Sequence, residues 1–431
     1  MKKKVSIFWF RRDLRLKDNV GLANALKGSS PVLPIFIFDP TILDQLEDKT
    51  DRRVDYIQQV LLDVNQQLEK KGASLRCFYT NPIQAFTQLL EHYAIDTVYC
   101  NNDYEPYAIK RDLEVKSFLE EQDVPFQSYK DQVIFEGSDI LKQDGKPYTV
   151  FTPYSRKWIE KLNEKMLLPQ EMNWERLLQI QAQRIITLNE LGFNKTEIMY
   201  TAPVFDDSII DSYEQYRDYP YLDQTTHLGI AFRFGTLSIR EAVAFALDHN
   251  QTWLKELIWR EFFMQILYHF PQVEQQSFKP KYDHIPWLNK EADFELWCSG
   301  NTGYPLVDAG MRQLNQTGFM HNRVRMLVAS FLCKHLLIDW RWGEAYFAKK
   351  LDDFDLASNN GNWQWAAGSG CDAAPYFRIF NPNIQLKKFD KENLYVKKWV
   401  PEYGTDQYPS PMVDHDEARK RALAIYANAL S

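Results

Sequence analysis

The sequence predicts an α/β fold: an N-terminal doubly wound parallel-sheet domain followed by a larger all-α domain. Through the first 130 residues, short apolar runs alternate with stretches of helical periodicity, the pattern of a parallel sheet covered on both faces. Beyond about residue 194 the apolar residues keep helical spacing, with few alternating runs. Between about Phe135 and Leu191 both patterns weaken, punctuated by Gly137, Gly145-Lys146-Pro147 and Thr152-Pro153. That stretch reads as a connector wrapping the surface. The expected division is therefore 1–130, 131–193 and 194–431, and 431 residues leave each domain enough chain for its own core.

In chain order, residues 5–10 form a short buried strand, followed by a charged turn over 11–18. A second strand covers 32–38. From about Asp51 to Lys71 a helix presents Val54, Ile57, Val60, Leu61, Val64 and Leu68 on one face and stops at Gly72. A third strand at 75–78 leads to a helix with Asn81 as its cap and Pro82 at its first position, where a missing N–H costs nothing. A fourth strand at 97–100 and a helix at 109–119 complete the first domain. In the second, helices are expected at 239–247, 253–268, 304–314 and 322–337.

A doubly wound sheet invites a dinucleotide on a glycine-rich turn after its first strand. No GxGxxG is present: Arg11-Arg12-Asp13-Leu14-Arg15 fills that turn, so a tightly held cofactor has to bind elsewhere. The five cysteines (Cys77, Cys100, Cys298, Cys333, Cys371) make no CxxC, and the eight histidines no HExxH. No metal site and no disulfide framework is expected. No apolar run reaches membrane-spanning length and the N-terminus lacks a signal-type apolar core, so a cytoplasmic location with no membrane partner is expected.

The net charge of −7 argues against indiscriminate nucleic-acid binding but leaves room for a local basic patch. Between Phe377 and Trp399 lie Arg378, Lys387, Lys388, Lys391, Lys397 and Lys398, against Asp390 and Glu392; by charge counting alone this is a solvated face. Twelve tryptophans, nine of them after residue 250, mark the helical half as the part that uses indole rings.

Three local arrangements in that half suit chemistry, each beside a plainer explanation. Glu256, Trp259, Arg260 and Phe263 share one helical stripe, which spacing alone assigns to core plus a surface ion pair. Asn322 is placed to cap a helix, yet Arg323 and Arg325 at that helix start oppose the macrodipole and answer a negative group. Asp352, Asp353, Asp355 and a phosphate are the candidates. The segment 353–365 joins Asp353, Asp355, Asn359, Asn360, Asn362, Trp363 and Trp365 around Gly361. Hydrogen-bonding groups beside stacking planes would serve a flat heterocycle; a capped helix with buried indoles is the plain alternative.

Segments 9–16, 259–262, 302–308, 320–326, 359–365 and 373–382 resemble, in order and over nearly the whole chain, the signature segments of the photolyase/cryptochrome family, and most closely those of class I cyclobutane pyrimidine dimer photolyases. The resemblance implies FAD, reduced in its active form, held inside the helical domain. Tyr213, Thr225, Thr226, Leu228 and Gly229 would lie around its phosphates, and Asp353, Phe354 and Asp355 around its middle and adenine end. Arg325 would pair with Asp353, and Asn359 would stand beside flavin N5, able to accept or donate. Trp363, Trp340 and Trp287 match an electron-transfer chain running from flavin to surface. Glu256, Trp259, Asn322, Met326 and Trp365 match the residues that hold a flipped-out dimer, the two indoles as apolar walls. Arg217, Arg323 and Gln385 match contacts to the DNA backbone, and the lysine-rich segment is expected to add to them on composition alone.

The implied function is light-driven repair of cyclobutane pyrimidine dimers in UV-damaged DNA, by electron transfer from photoexcited reduced FAD to the flipped-out dimer, in a monomer. An antenna chromophore is implied, its identity open: Tyr107-Ala108 stand where folate-binding relatives carry Asn-Glu. His227 and Gly229 also depart from the commoner Arg and Ser of the phosphate-binding turn. Two rivals remain, a cryptochrome-type blue-light photoreceptor and a six-four photoproduct photolyase. The first often carries a long C-terminal tail, whereas 417–431 reads as a terminal helix; the second places His where Asn322 and Met326 stand.

Overall fold

In the computed structural model, which describes residues 2–431, five strands form one parallel sheet. They are β1 (Lys3–Phe10), β2 (Val32–Phe38), β3 (Arg76–Tyr79), β4 (Tyr93–Asn101) and β5 (Phe126–Tyr129), in the order β3-β2-β1-β4-β5. The order reverses at β1, which makes the sheet doubly wound. The central β1 and β2 are buried almost throughout, so they read as continuous apolar runs. β5 escaped the sequence reading because Phe126-Gln127-Ser128-Tyr129 is a half-exposed edge strand without an apolar run. Helix Val20–Lys27 escaped it too, being only eight residues long.

The crevice between β1 and β4, where such sheets usually take a ligand, is closed by side chains of the charged turn. Arg11 donates to Asp112 and to the backbone carbonyl of Asn101. Asn101 Nδ2 reaches Asp13 at 2.5 Å and Asn19 at 2.8 Å, and its Oδ1 accepts from Gly21 N at 2.8 Å. A few residues on, Arg15 and Arg240 grip Asp131 at 2.8 and 2.9 Å. Burial would push that carboxyl up, but the two guanidiniums hold it below the usual range. The absent glycine-rich loop is thus replaced by a filled, charge-paired turn.

The chain divides into two compact units that are interleaved along the sequence. The first comprises Met1–Asp139, Lys161–Val204 and Leu228–Asp248; the second comprises Ile140–Glu160, Phe205–His227 and His249–Ser431. The expected linear connector is thereby shared out. Residues 161–204 strap the first unit, with Leu178 N on Val32 O at 2.8 Å and Asn194 N on Lys49 O at 2.7 Å. Helix Phe151–Lys161 lies mostly in the second unit, where Trp158 Nε1 donates to the buried carboxylate of Glu261 at 2.6 Å.

The second unit is built of helices around the 19-residue helix Gln251–His269, whose cap Asn250 accepts from Thr252 N and Trp253 N. Helix Leu356–Ala367 crosses it closely: a Cβ at Gly361 would meet the Phe263 ring at 2.1 Å. The helix expected over 322–337 is α-helical at Asn322–Ser330 and widens into a π turn at Phe331–His335. Residues 302–308 have a structural task. Buried Asp308 accepts from Thr302 N at 2.7 Å, Gly303 N at 3.0 Å and Tyr408 OH at 2.6 Å, pinning the segment that leads to the last helix, His415–Leu430. Among the described residues no helix is long and apolar enough to cross a membrane.

Candidate functional site

A cavity of about 600 Å³, counting its open mouth, lies within the helical unit. Helix Asn322–Ser330 lines it with Asn322, Arg325 and Met326, and helix Leu356–Ala367 with Ser358, Asn359, Asn362, Trp363 and Trp365. Leu351, Asp353, Phe354 and Asp355 close a third side. Each helix starts at a defined point. Asp355 caps the second by accepting from Ser358 N at 3.1 Å. The cap of the first is His321, whose Nδ1 accepts from Arg323 N at 3.1 Å. Asn322 is therefore not the cap the sequence offered; it is the first helical residue, and its side chain is left to face the cavity. Burial and the neighbouring Arg323 and Arg325 push His321 down to about 4, so it stays neutral.

The arginines at this helix start have found their anions. Arg325 donates Nη2 to Asp353 Oδ2 at 2.9 Å and Nε to Met320 O at 2.7 Å. Arg323 pairs with Asp218, a partner from a distant segment that was not among the four candidates. Opposite them, Asn359 Nδ2 donates to Glu344, to its backbone O at 3.1 Å and to Oε1 at 3.0 Å. Burial raises the Glu344 carboxyl to about 7, against the lowering effect of that hydrogen bond.

Two of the expected dimer-holding residues are not among the lining of this cavity. Glu256 is held by Arg217 at 2.5 Å. Trp259 stacks face to face on Phe151, ring centroids 3.7 Å apart and planes 6° apart. Of the expected electron carriers, Trp363 and Trp340 are buried in one hydrophobic cluster, and half-buried Trp287 packs against it. Trp363 fits because residue 343 is glycine: a Cβ there would meet its ring at 2.1 Å. Trp340 has the guanidinium of Arg341 over its ring at 4.7 Å, and Trp287 lies edge-on to Tyr426 at 5.9 Å. Tyr213, Thr225 and Thr226 belong to this unit and lie outside the cavity lining, while Leu228 and Gly229 belong to the first unit. Gln385 is half-buried on helix Pro382–Phe389.

Residues 6–172 match the family profile described as DNA photolyase, and residues 253–406 match that of the FAD binding domain of DNA photolyase. A Synechococcus protein named deoxyribodipyrimidine photo-lyase is 37% identical, over 97% of this chain and 96% of its own. The chain belongs to the DNA photolyase family. Among solved structures of this family, a class III photolyase from Agrobacterium tumefaciens superposes with a TM-score of 0.89 at 34% identity, covering 100% of this chain and 98% of its own. An archaeal photolyase from Sulfolobus tokodaii, described with two FAD molecules, gives 0.85 at 35%, covering 98% and 99%.

The photolyase cavity passes a test of fit for FAD on its own atoms. In its lining, Asp353 Oδ1 is buried without a hydrogen-bond partner, an arrangement that costs free energy unless a ligand supplies one. Asn359 has spent both amide protons, so its oxygen is what it can offer. Three residues around this site were missed by sequence reasoning: Glu344, Asp218 and Phe151. Each lies far along the chain from its partner (15, 105 and 108 residues), and no local pattern announces it.

Proposed function

We propose that this chain is a deoxyribodipyrimidine photo-lyase that repairs cyclobutane pyrimidine dimers in UV-damaged DNA with bound FAD. One observation carries the reading. The residues attributed to the flavin (Asp353, Asn359) and those attributed to the dimer (Asn322, Met326, Trp365) line the same cavity. Electron transfer over van der Waals distance asks for that adjacency.

Reduced flavin, when bound, supplies the photoexcited electron, and the protein supplies position and electrostatics. Arg325 fixes Asp353 as a wall residue; Asn359 presents its carbonyl oxygen; Trp365 gives a flat apolar wall on which a splayed base stacks. Met326 fills space beside it, and Asn322 offers an amide for pairing-edge groups. Glu256 and Trp259 join this set once Arg217 and Phe151 release them, and a DNA phosphate at Arg217 would free the carboxylate. Trp363, Trp340 and Trp287 would carry a hole outward while the flavin is being reduced. A six-four reading lacks the imidazoles it needs at Asn322 and Met326.

The test is illumination of the reduced, FAD-loaded protein with an oligonucleotide containing a thymine dimer, following the return of base absorbance. Recovery is expected in light and absent in the dark. FAD retained with no recovery would sink the repair reading in favour of a photoreceptor.

A further inference from the structure

We infer that the buried amine of Lys334 governs how readily the outer end of the tryptophan series (Trp363, Trp340, Trp287) holds a positive charge, an inference that rests on the hole-carrying role proposed above. Lys334 is 1% exposed and sits in the π turn Phe331–His335. Its Nζ lies 3.7 Å from the ring centroid of Tyr426, and Tyr426 stands edge-on to Trp287 with centroids 5.9 Å apart. One tyrosine ring therefore separates the amine from the outermost indole.

The backbone around this lysine is held in a costly shape. π turns are rare and recur at functional sites. Leu337, just beyond this one, is fully buried with φ at +50°, a left-handed backbone that a bulky side chain adopts only under constraint. The constraint comes from two sides. Leu288 N donates to Leu337 O at 2.7 Å. From the last helix, Arg421 donates to His335 O at 2.6 Å, and His415 Nδ1 lies 2.8 Å from His335 Nε2.

The amine has no counter-charge. Among the described residues its one hydrogen bond is to Ala367 O at 2.8 Å, and no carboxylate pairs with it. Asp339 and Asp283 are both turned to Arg341, at 3.2 and 2.6 Å. Tyr282 and Tyr376 pack around Tyr426, with centroids 6.2 and 5.9 Å from it. Cys333 keeps its proton, since burial raises its thiol to about 12, and His335 is neutral, lowered by burial to about 3. Arg421, reaching the turn from the last helix, adds a like charge. The face of Tyr426 favours an ammonium, whereas loss of water favours the neutral amine. Burial prevails and pulls Lys334 down to about 7, with Cys333 acting the other way. The side chain thus changes charge near neutral pH, one ring away from Trp287.

The consequence is electrostatic. An electron leaving Trp363 for photoexcited oxidised flavin is replaced from Trp340, and that one from Trp287. Trp287 ends one electron short until an added thiol refills it. Protonated Lys334 repels the positive charge left there, and the neutral amine does not. Lys334 is in this sense a positioning residue, acting through the field at the indole.

The experiment takes the FAD-loaded protein with oxidised flavin, in thiol buffer, from well below to well above pH 7. Wild type is compared with Lys334→Met, Lys334→Arg and Trp340→Phe, each checked for retained FAD and helical content. Flash absorption reads the yield of long-lived oxidised tryptophan. NMR of lysine-labelled protein, with or without FAD, reads the titration of Lys334, assigned by the signal missing from Lys334→Met. The wild-type yield should rise severalfold through about pH 7, in step with the lysine signal. Lys334→Met should give the upper yield at every pH. Lys334→Arg, whose cation does not titrate in this range, should give the lower one. A merely structural role would move both variants the same way. Repair by chemically reduced protein, which needs no hole, should be unchanged in Lys334→Met.

A wild-type yield without a step, the same step in Lys334→Met, or a Lys334 signal that titrates in the ordinary lysine range overturns the inference. If Trp340→Phe abolishes photoreduction in that case, the carrier reading survives and only the role of Lys334 falls. Photoreduction undiminished in Trp340→Phe overturns the carrier reading itself, and the inference with it.

Discussion

Asn359 turns both protons of its side-chain amide onto Glu344, one to the backbone carbonyl at 3.1 Å and one to Oε1 at 3.0 Å. Its orientation is thereby fixed, and only its oxygen remains for a ligand in the cavity. By sequence the residue could accept or donate; in its tertiary setting it accepts. Asn359→Asp removes both donors and sets a second carboxyl against Glu344. The variant should keep FAD but bind the reduced form less well, with a reduction potential lower by about 60 mV or more, the one-electron equivalent of a tenfold change. A redox titration reads this directly, and an unshifted potential would show that Asn359 does not face the reacting ring.

Glu344 also makes a pH prediction. Burial keeps its proton on up to about pH 7, whereas the exposed carboxyl of an unfolded chain releases it near 4.5. Between those values the native state holds more protons than the unfolded state, so this group's contribution to stability falls as pH rises through that window and levels off above it. Glu344→Gln should remove that slope. The difference in urea midpoint between wild type and variant should move in the variant's favour from pH 5 to pH 7; a constant difference would contradict the burial argument.

Asp218 neutralises Arg323 on the face proposed to meet DNA. Asp218→Asn should therefore strengthen binding to undamaged DNA severalfold at low salt and steepen its salt dependence by about one phosphate's worth. Lesion selectivity should drop in proportion. Anisotropy titrations at several salt concentrations would show it, and weaker binding would mean that Asp218 positions Arg323 instead of masking it.

Trp259 rests on Phe151 at 3.7 Å, a flat surface that a base could replace. Trp259→Ala should lower affinity for a dimer-containing oligonucleotide roughly tenfold or more, with FAD content and absorbance unchanged. Loss of FAD would place the indole against the cofactor instead of the lesion.

Gly343 leaves the room that the Trp363 ring occupies. Gly343→Ala should cost about 1–3 kcal/mol through overpacking and slow photoreduction of oxidised flavin, because Trp363 has to move. Repair by chemically reduced enzyme should suffer less. Thermal melts and photoreduction rates test the two halves separately.

Much of the architecture was legible because burial leaves a local trace. β1 and β2 show as apolar runs, helix Arg52–Glu69 as a stripe, and the helix at Pro82 as a capped start. Edge strand β5 left none, being half-exposed and polar, and the interleaving of 161–204 with the first unit left none because backbone bonds such as Leu178 to Val32 depend on no residue type.

Residue types and their order showed that the turn after β1 carries arginines where glycines would be needed and that amides, carboxylates and indoles gather at 353–365, a segment suited to a flat ligand, and the resemblance of the signature segments is what implied FAD in the helical half. Only the tertiary structure decided which partners these groups have. Glu344 meets Asn359, Asp218 meets Arg323, Phe151 meets Trp259, and Phe389 lies under the Arg323 guanidinium. The reason is physical. Periodicity and capping report contacts a few residues apart, whereas the direction of a hydrogen bond, the pairing of a charge and the proton on a buried carboxyl depend on neighbours that only folding brings within a few ångströms.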